Sequence, residues 1–328
     1  MRAMVLRAPR TPLVLEERPD PVPGPGEIRV KVAACAVCRT DLHVVDGDLP
    51  PQRASVVPGH EIIGRVDALG PGVGDVALGE RVGIPWLGHA CGVCPHCAGG
   101  AENLCDAPGF TGWDRDGGFA THVVADAAFA VRLDDLDLDD VSAAPLMCAG
   151  LIGWRSLVRA GEGGVLGLYG FGAAAHIVAQ MAIHQGRRVH AFTRPGDIAA
   201  QDFARSLGCA SAAASGEAPP EPLDAAIIFA PVGALVPEAL RAVRKGGRVV
   251  CGGIHMSDIP AFPYALLWQE REVVSVANLT RADARDFLAA ARLARPHIAT
   301  RVYPLEAANT ALDDLRAGRF AGAAVLVP

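Results

Sequence analysis

The 328-residue chain reads as an α/β protein of two domains. Its length exceeds what one ordinary core needs. Residues 1 to about 145 are rich in Gly and Pro and carry short β-branched runs, whereas from about residue 164 apolar strands alternate with Ala-rich helical patterns. The first texture predicts a β-rich domain with long loops. The second predicts a parallel sheet covered by helices.

The elements follow in chain order. Residues 28–32, Ile-Arg-Val-Lys-Val, alternate as a half-buried strand does. Apolar runs at 165–168, 189–192, 225–229 and 248–251 read as the strands of the parallel sheet. Between the first two, residues 173–185 place Ile177, Met181 and His184 at helical spacing and are closed by Gly186, a residue suited to a helix C-cap. From about residue 281 comes another Ala-rich helix, and 323–327 reads as a last strand. The expected division is 1–145 together with 281–328 for the β-rich domain, and 146–280 for the parallel-sheet domain.

Composition narrows the partners. Hydrophobic residues make up 51% of the chain and the formal net charge is −6, so no basic face is on offer to phosphates. Neither nucleic acid nor an anionic membrane is expected; a small-molecule ligand is. The first nine residues lack a secretory apolar stretch and no later apolar run is long enough to span a bilayer, so a cytoplasmic location is expected. Nine cysteines in a reducing compartment argue for metal rather than disulfides.

Cys91, Cys94, Cys97 and Cys105 are spaced C-x2-C-x2-C-x7-C, which lets one loop wrap a tetrahedral zinc ion. Four thiolates leave no open coordination position, so this zinc would be structural. Free or disulfide-bonded cysteines and an iron–sulfur cluster are the competing readings.

Cys38, His60 and Cys148 mean little singly, because a lone buried cysteine is usually a small hydrophobe. Their surroundings carry more: Cys38-Arg39-Thr40-Asp41-Leu42-His43, Gly59-His60-Glu61 and Leu146-Met147-Cys148. With the cysteine loop downstream of the histidine, these stretches resemble the zinc-dependent alcohol dehydrogenases of the medium-chain dehydrogenase/reductase superfamily, over essentially the whole chain. The resemblance implies that the β-rich domain is GroES-like and that Cys38, His60 and Cys148 hold a catalytic zinc, with Glu61 as an alternating fourth ligand. Three protein ligands and one open position are what a catalytic zinc requires. Asp41 is expected to accept the free ring N–H of His60 and so orient it. By the same resemblance Thr40 would take a hydroxyl proton and relay it to His43 near solvent. Trp86 and Trp113 flank the cysteine loop and are candidates for the substrate pocket or for the core.

After the strand at 165–168 comes Gly170-Phe171-Gly172-Ala173-Ala174-Ala175, a G-x-G-x-x-A turn in the strand-turn-helix context that binds dinucleotides, which makes the second domain a doubly wound Rossmann sheet. Gly170 permits the tight turn, Gly172 lets the backbone approach a pyrophosphate, and Ala175 allows close helix–strand packing. Where NAD-binding chains place Asp or Glu, this one has Thr193-Arg194, so NADP(H) is expected over NAD(H). The resemblance also puts Arg39 and Arg281 near the pyrophosphate.

The expectation is a zinc-dependent oxidoreductase that moves hydride between an alcohol and an aldehyde or ketone with a nicotinamide cofactor, carries two zinc ions per chain, and forms a dimer or tetramer. A C=C or quinone reductase of the same superfamily is one rival. A non-catalytic dinucleotide- and zinc-binding protein is the other.

Overall fold

Strand β1 (Glu27–Val37) alternates buried and less buried residues through Val32 and then becomes almost wholly buried. Its first half follows the predicted 28–32 strand, and it continues five residues further because Ala33 to Val37 are all apolar and can be covered on both faces. The computed structural model describes residues 1–133 and 135–328. Helix α1 (Arg39–Asp46) follows β1 directly, capped by Cys38 at one end and by left-handed Gly47 at the other. β1 then pairs antiparallel with β2 (Glu61–Leu69), and β2 with β3 (Arg81–Ile84). β4 (His122–Asp126) pairs with the first half of β1, and β5 (Val131–Arg132) with β3. The strands Thr300–Pro304 and Ala323–Val327 complete this seven-stranded sheet on the other side of β1. The predicted last strand, 323–327, is thus a sheet member.

By contacts the chain divides into two units: Met1–Ala149, Asn278–Leu288 and Ile298–Pro328 form the first, and Gly150–Ala277 with Ala289–His297 form the second. The first unit has its core between β1, β2 and the residues packed on them, including the fully buried Ile28, Ile62 and Phe119.

The second unit is a six-stranded parallel sheet. In chain order its elements are β6 (Val165–Tyr169), α2 (Ala173–His184), β7 (Arg188–Thr193), α3 (Ile198–Ser206), β8 (Ser211–Ala214), β9 (Leu223–Ile228), α4 (Leu235–Ala242), β10 (Val243–Cys251) and β11 (Glu272–Ser275), after which the chain enters α5 (Arg281–Ala294). The spatial order β8-β7-β6-β9-β10-β11 reverses direction at β6/β9, as in a doubly wound dinucleotide fold. All five residues of β6 are buried, the mark of a central parallel strand. The strand expected at 225–229 runs Leu223–Ile228 instead. Phe229 leaves the β9–β10 ladder and donates its N–H to Tyr169 O at 2.9 Å. Among the described residues no single helix is long and apolar enough to cross a membrane.

Candidate functional site

Register builds the first cluster. Ala36 on β1 lies opposite Glu61 on β2, so the residues just past the two strand ends, Cys38 and His60, come together. Cys38 Sγ is 3.1 Å from His60 Nε2 and also accepts the Thr40 N–H at 3.2 Å, which makes it the N-cap of α1. Gly59, with φ +98, is required at the turn before His60, because a Cβ there would sit 2.4 Å from the Phe119 ring. Cys148 arrives from a different direction: Leu146 and Met147 are fully buried, and Met147 Sδ lies where a side chain on Gly83 of β3 would have to go. The chain is thereby pinned one residue before Cys148. Glu61 accepts the Ala149 N–H at 3.1 Å, which ties the same segment to β2.

One ligand-type atom from each of Cys38, His60, Glu61 and Cys148 falls in a set no wider than 4.8 Å. His60 and Glu61 are 0% and 1% exposed. Asp41, equally buried, uses both carboxylate oxygens: Oδ1 lies 3.1 Å from His60 Nδ1 and accepts the Gly59 N–H, and Oδ2 accepts the Cys38 N–H at 2.9 Å. Burial pushes the carboxyls of Asp41 and Glu61 up from their ordinary range, that of Glu61 well above it. The thiol of Cys38 is held well below its usual value, first by the hydrogen bond from Cys148 and then, against burial, by the charge of His60. Two thiols, an imidazole and a carboxylate crowded in a buried site form an electron-rich set that a divalent cation satisfies. Zinc fits it, taking S and N donors at about 2.0 to 2.3 Å. The edge of the Trp86 ring meets His60, the ring centroids 4.9 Å apart, and Trp86 stacks on Phe110 and Trp113.

Thr40 and His43 both lie on α1. Thr40 is buried, and His43 Nδ1 is 2.9 Å from Asp48 Oδ2. Arg39 opens the helix and is exposed.

The second cluster is built from thiols alone. Cys91, Cys94, Cys97 and Cys105 gather within the same 4.8 Å limit. Backbone N–H groups of Cys91, Cys94, Cys97 and Ala107 point at the sulfurs of Cys105, Cys91, Cys94 and Cys105 in turn, at 3.2 to 3.5 Å. The backbone N–H groups of Asp106 and Cys97 bring the Cys94 thiol down to about 6. All nine cysteines are free. A closed four-thiolate site is what structural zinc takes.

In the second unit, Gly170 has φ +87 and donates its N–H to Phe192 O at 2.8 Å; a Cβ there would meet the Ala230 backbone at 2.9 Å. Gly172 is the N-cap of α2, and a Cβ on it would meet nothing within 4 Å. That open ground before a helix N-terminus is the kind of cradle in which a pyrophosphate is held. Ala175 is fully buried, and Phe171 packs edge-on against Phe203. Thr193 is buried and its hydroxyl is occupied, donating to Arg194 O and accepting from Gln201, both at 3.2 Å. The Arg194 side chain is 80% exposed, and its nearest carboxylate is Asp197 at 3.4 Å.

Arg281 opens α5. It belongs to the first unit, where its N–H and Nε both donate to Glu102 Oε1 at 2.9 and 2.8 Å and its guanidinium lies 4.8 Å over the Phe129 ring. The sequence reading missed Glu102 because 179 residues separate the pair and no motif links them.

A buried thiol–imidazole centre in a β-rich unit and an open glycine turn on a doubly wound sheet together define a zinc- and dinucleotide-binding oxidoreductase class. Residues 24–135 match the family described as "Alcohol dehydrogenase GroES-like domain". The chain is 52% identical over 315 residues to "Probable alcohol dehydrogenase AdhA" of Mycobacterium tuberculosis, covering 94% of this chain and 90% of that one. It is 33% identical to an alcohol dehydrogenase of Moraxella sp., covering 99% of each. A cobalt- and zinc-bound thermostable alcohol dehydrogenase from Pyrobaculum aerophilum superposes with a TM-score of 0.90 at 27% identity, over 100% of this chain and 99% of that one. The chain belongs to the alcohol dehydrogenase family of the medium-chain dehydrogenase/reductases.

Proposed function

We propose that the chain oxidises an alcohol, or reduces the corresponding aldehyde or ketone, with zinc held by Cys38, His60 and Cys148 and with NADP(H) favoured over NAD(H). The observation that carries this reading is the convergence of those three side chains, with Glu61, in one buried cluster. Zinc there would supply a Lewis acid that makes a hydroxyl more acidic, and the dinucleotide a hydride acceptor. The chain's own residues do the rest. Asp41 fixes the His60 ring by taking its Nδ1–H. Glu61, within the cluster, is the alternating fourth ligand. Thr40 Oγ1 takes the substrate hydroxyl proton as it gives up its own, and His43, held by Asp48, passes the released proton toward solvent. Gly170, Phe171, Gly172 and Ala175 form the pyrophosphate turn, with Arg39 a further basic contact. Arg281 has a weaker claim to that role, since Glu102 already occupies it.

The cofactor preference rests on Arg194, exposed at the end of β7 and able to give a 2′-phosphate charge-assisted hydrogen bonds. The second zinc is assigned to Cys91, Cys94, Cys97 and Cys105, giving two ions per chain. A homo-oligomer, dimer or tetramer, belongs to the same proposal. It is supported by the edge position of β11 and the exposed Tyr264 and Trp268 that precede it. A reducing, cytoplasmic setting suits nine free thiols.

The experiment is a panel of short, branched and aromatic alcohols assayed with NADP+ and NAD+ on zinc-replete protein. Turnover of at least one alcohol, with the higher kcat/KM for NADP+, is the expected result. An advantage for NAD+ would sink the cofactor preference. Turnover of activated C=C substrates in place of alcohols would favour the reductase rival.

A further inference from the structure

Arg81 opens β3 and is 8% exposed. A buried guanidinium is costly unless it is paired, and this one is paired along a single stretch of chain. Its Nε donates to Asp140 Oδ1 at 2.7 Å, Nη1 to Leu136 O at 3.2 Å and to Leu133 O at 3.5 Å, and Nη2 to Leu138 O at 2.7 Å. Leu133 returns a bond, its N–H to Arg81 O at 3.0 Å. Residues 135–139 are neither helix nor strand, so no regular ladder fixes their path, and the planar fork of the arginine takes over that task. Asp140 then starts the short helix Asp140–Ala143, which tightens into the turn Ala144–Met147 and ends at Cys148. Positions 81 and 83 of a strand face the same way, and a side chain on Gly83 would collide with Met147 and press on Leu133. One face of β3 thus holds this helical segment at both ends, Arg81 at Asp140 and Gly83 at Met147.

We propose that Arg81 is a positioning residue for the catalytic zinc: by gripping the chain at Leu133, Leu136, Leu138 and Asp140 it fixes where Cys148 stands against Cys38 and His60. The proposal rests on the zinc reading above, and every residue in it belongs to the first unit. Cys38 and His60 are placed by the register of two paired strands, whereas Cys148 lies on no strand and takes its place from the segment 140–147 that carries it. Each residue of such a segment rises about 1.5 to 2 Å. A slip of one residue at Asp140 would therefore move the Cys148 sulfur by most of a Zn–S bond, which is about 2.3 Å. Met147 on Gly83 and the Ala149 N–H on Glu61 restrain the end of the segment. Arg81 restrains its start. An apolar residue at position 81 would bury as well, but it would leave three carbonyls without this donor and the segment without a fixed origin. Asp41 sets the His60 ring, and Arg81 sets the third ligand.

The test reads metal rather than turnover. Arg81→Met removes these four hydrogen bonds at nearly the same side-chain length, and Asp140→Asn keeps an acceptor for Nε. Zinc is counted after dialysis against graded concentrations of a chelator, the cysteines that lose it are identified by alkylation, and the emptied site is refilled with cobalt(II), whose visible absorption reports the ligand geometry. We expect Arg81→Met to hold zinc at Cys38, His60 and Cys148 about tenfold more weakly than the wild type, the scale of a lost support around a metal ligand. Its cobalt spectrum should be altered, and the zinc of Cys91, Cys94, Cys97 and Cys105 should stay. Asp140→Asn should match the wild type in all three readouts. Equal weakening at both clusters would make Arg81 a support of the fold at large and overturn the proposal. Wild-type zinc affinity and cobalt absorption in Arg81→Met would overturn it too, while the zinc reading stands. A wild type that takes up zinc at the four-cysteine loop alone would overturn the zinc reading itself. Should Arg81→Met not fold, Asp140→Ala, which loses one of the four bonds at a side chain 37% exposed, takes its place with the same outcomes.

Discussion

Cys38 has two attachments within one residue: its sulfur caps α1, and it lies 3.1 Å from His60 Nε2. The candidate ligands were legible in the sequence because each sits in a short motif. Their meeting was not, because it depends on the Ala36–Glu61 register and on Met147 packing against Gly83. His176 was illegible for a related reason. Helical spacing places it on α2 but does not say what faces it, and both its ring nitrogens are buried without a partner. Burial lowers its pKa from 6.5 to about 4, so the folded chain keeps it neutral where the unfolded chain would protonate it. Its contribution to stability is therefore complete above pH 6.5 and declines as the pH falls toward about 4. The loss is about 3 kcal/mol across that window. His176→Leu should remove this component, so that the melting temperature of the wild type drops relative to the variant between neutral pH and pH 4.5. Parallel pH profiles for the two proteins would show that His176 does not carry it.

At the scale of elements, the parallel sheet was the most legible part, because central strands are buried on both faces and read as apolar runs. The limits of β9 were less so, since hydrogen bonding rather than apolarity decides that Phe229 lies outside the ladder. The cysteine loop shows the opposite balance. Its spacing is plain in the sequence, yet almost nothing apolar holds it: Val93 is 85% exposed, Leu104 is 48% exposed, and its α-helix, Pro95–Ala98, is a single turn with no buried residue. A metal ion held by the four thiols, as proposed above, would supply the ordering that a core supplies elsewhere. Cys94→Ser should therefore release the zinc of this loop and expose residues 91–105 to limited proteolysis, while the other zinc stays bound. A loop that remains protease-resistant with its zinc gone would mean that contacts such as Arg281–Glu102 suffice to hold it.

For the molecule as a whole, the sequence already separated a β-rich part from a Rossmann part, because the two textures differ in period and in Gly and Pro content. The expected division puts the tail with the β-rich part, and 323–327 reads as a strand; Thr300–Pro304 does not, and its pairing with Ala323–Val327, in a sheet begun nearly three hundred residues earlier, is a long-range contact that no local pattern announces. The division of labour between the two clusters is the central claim: four cysteines for structure, and Cys38, His60 and Cys148 for chemistry. It is tested most directly by the rate of reduced-nicotinamide formation from an alcohol by Cys148→Ala, with zinc content measured on the same preparation. We expect a folded protein that keeps the zinc of the four-cysteine loop and loses ~10^3-fold or more in turnover, the scale of a Lewis-acid contribution. Turnover by that variant at close to the wild-type rate would contradict the account.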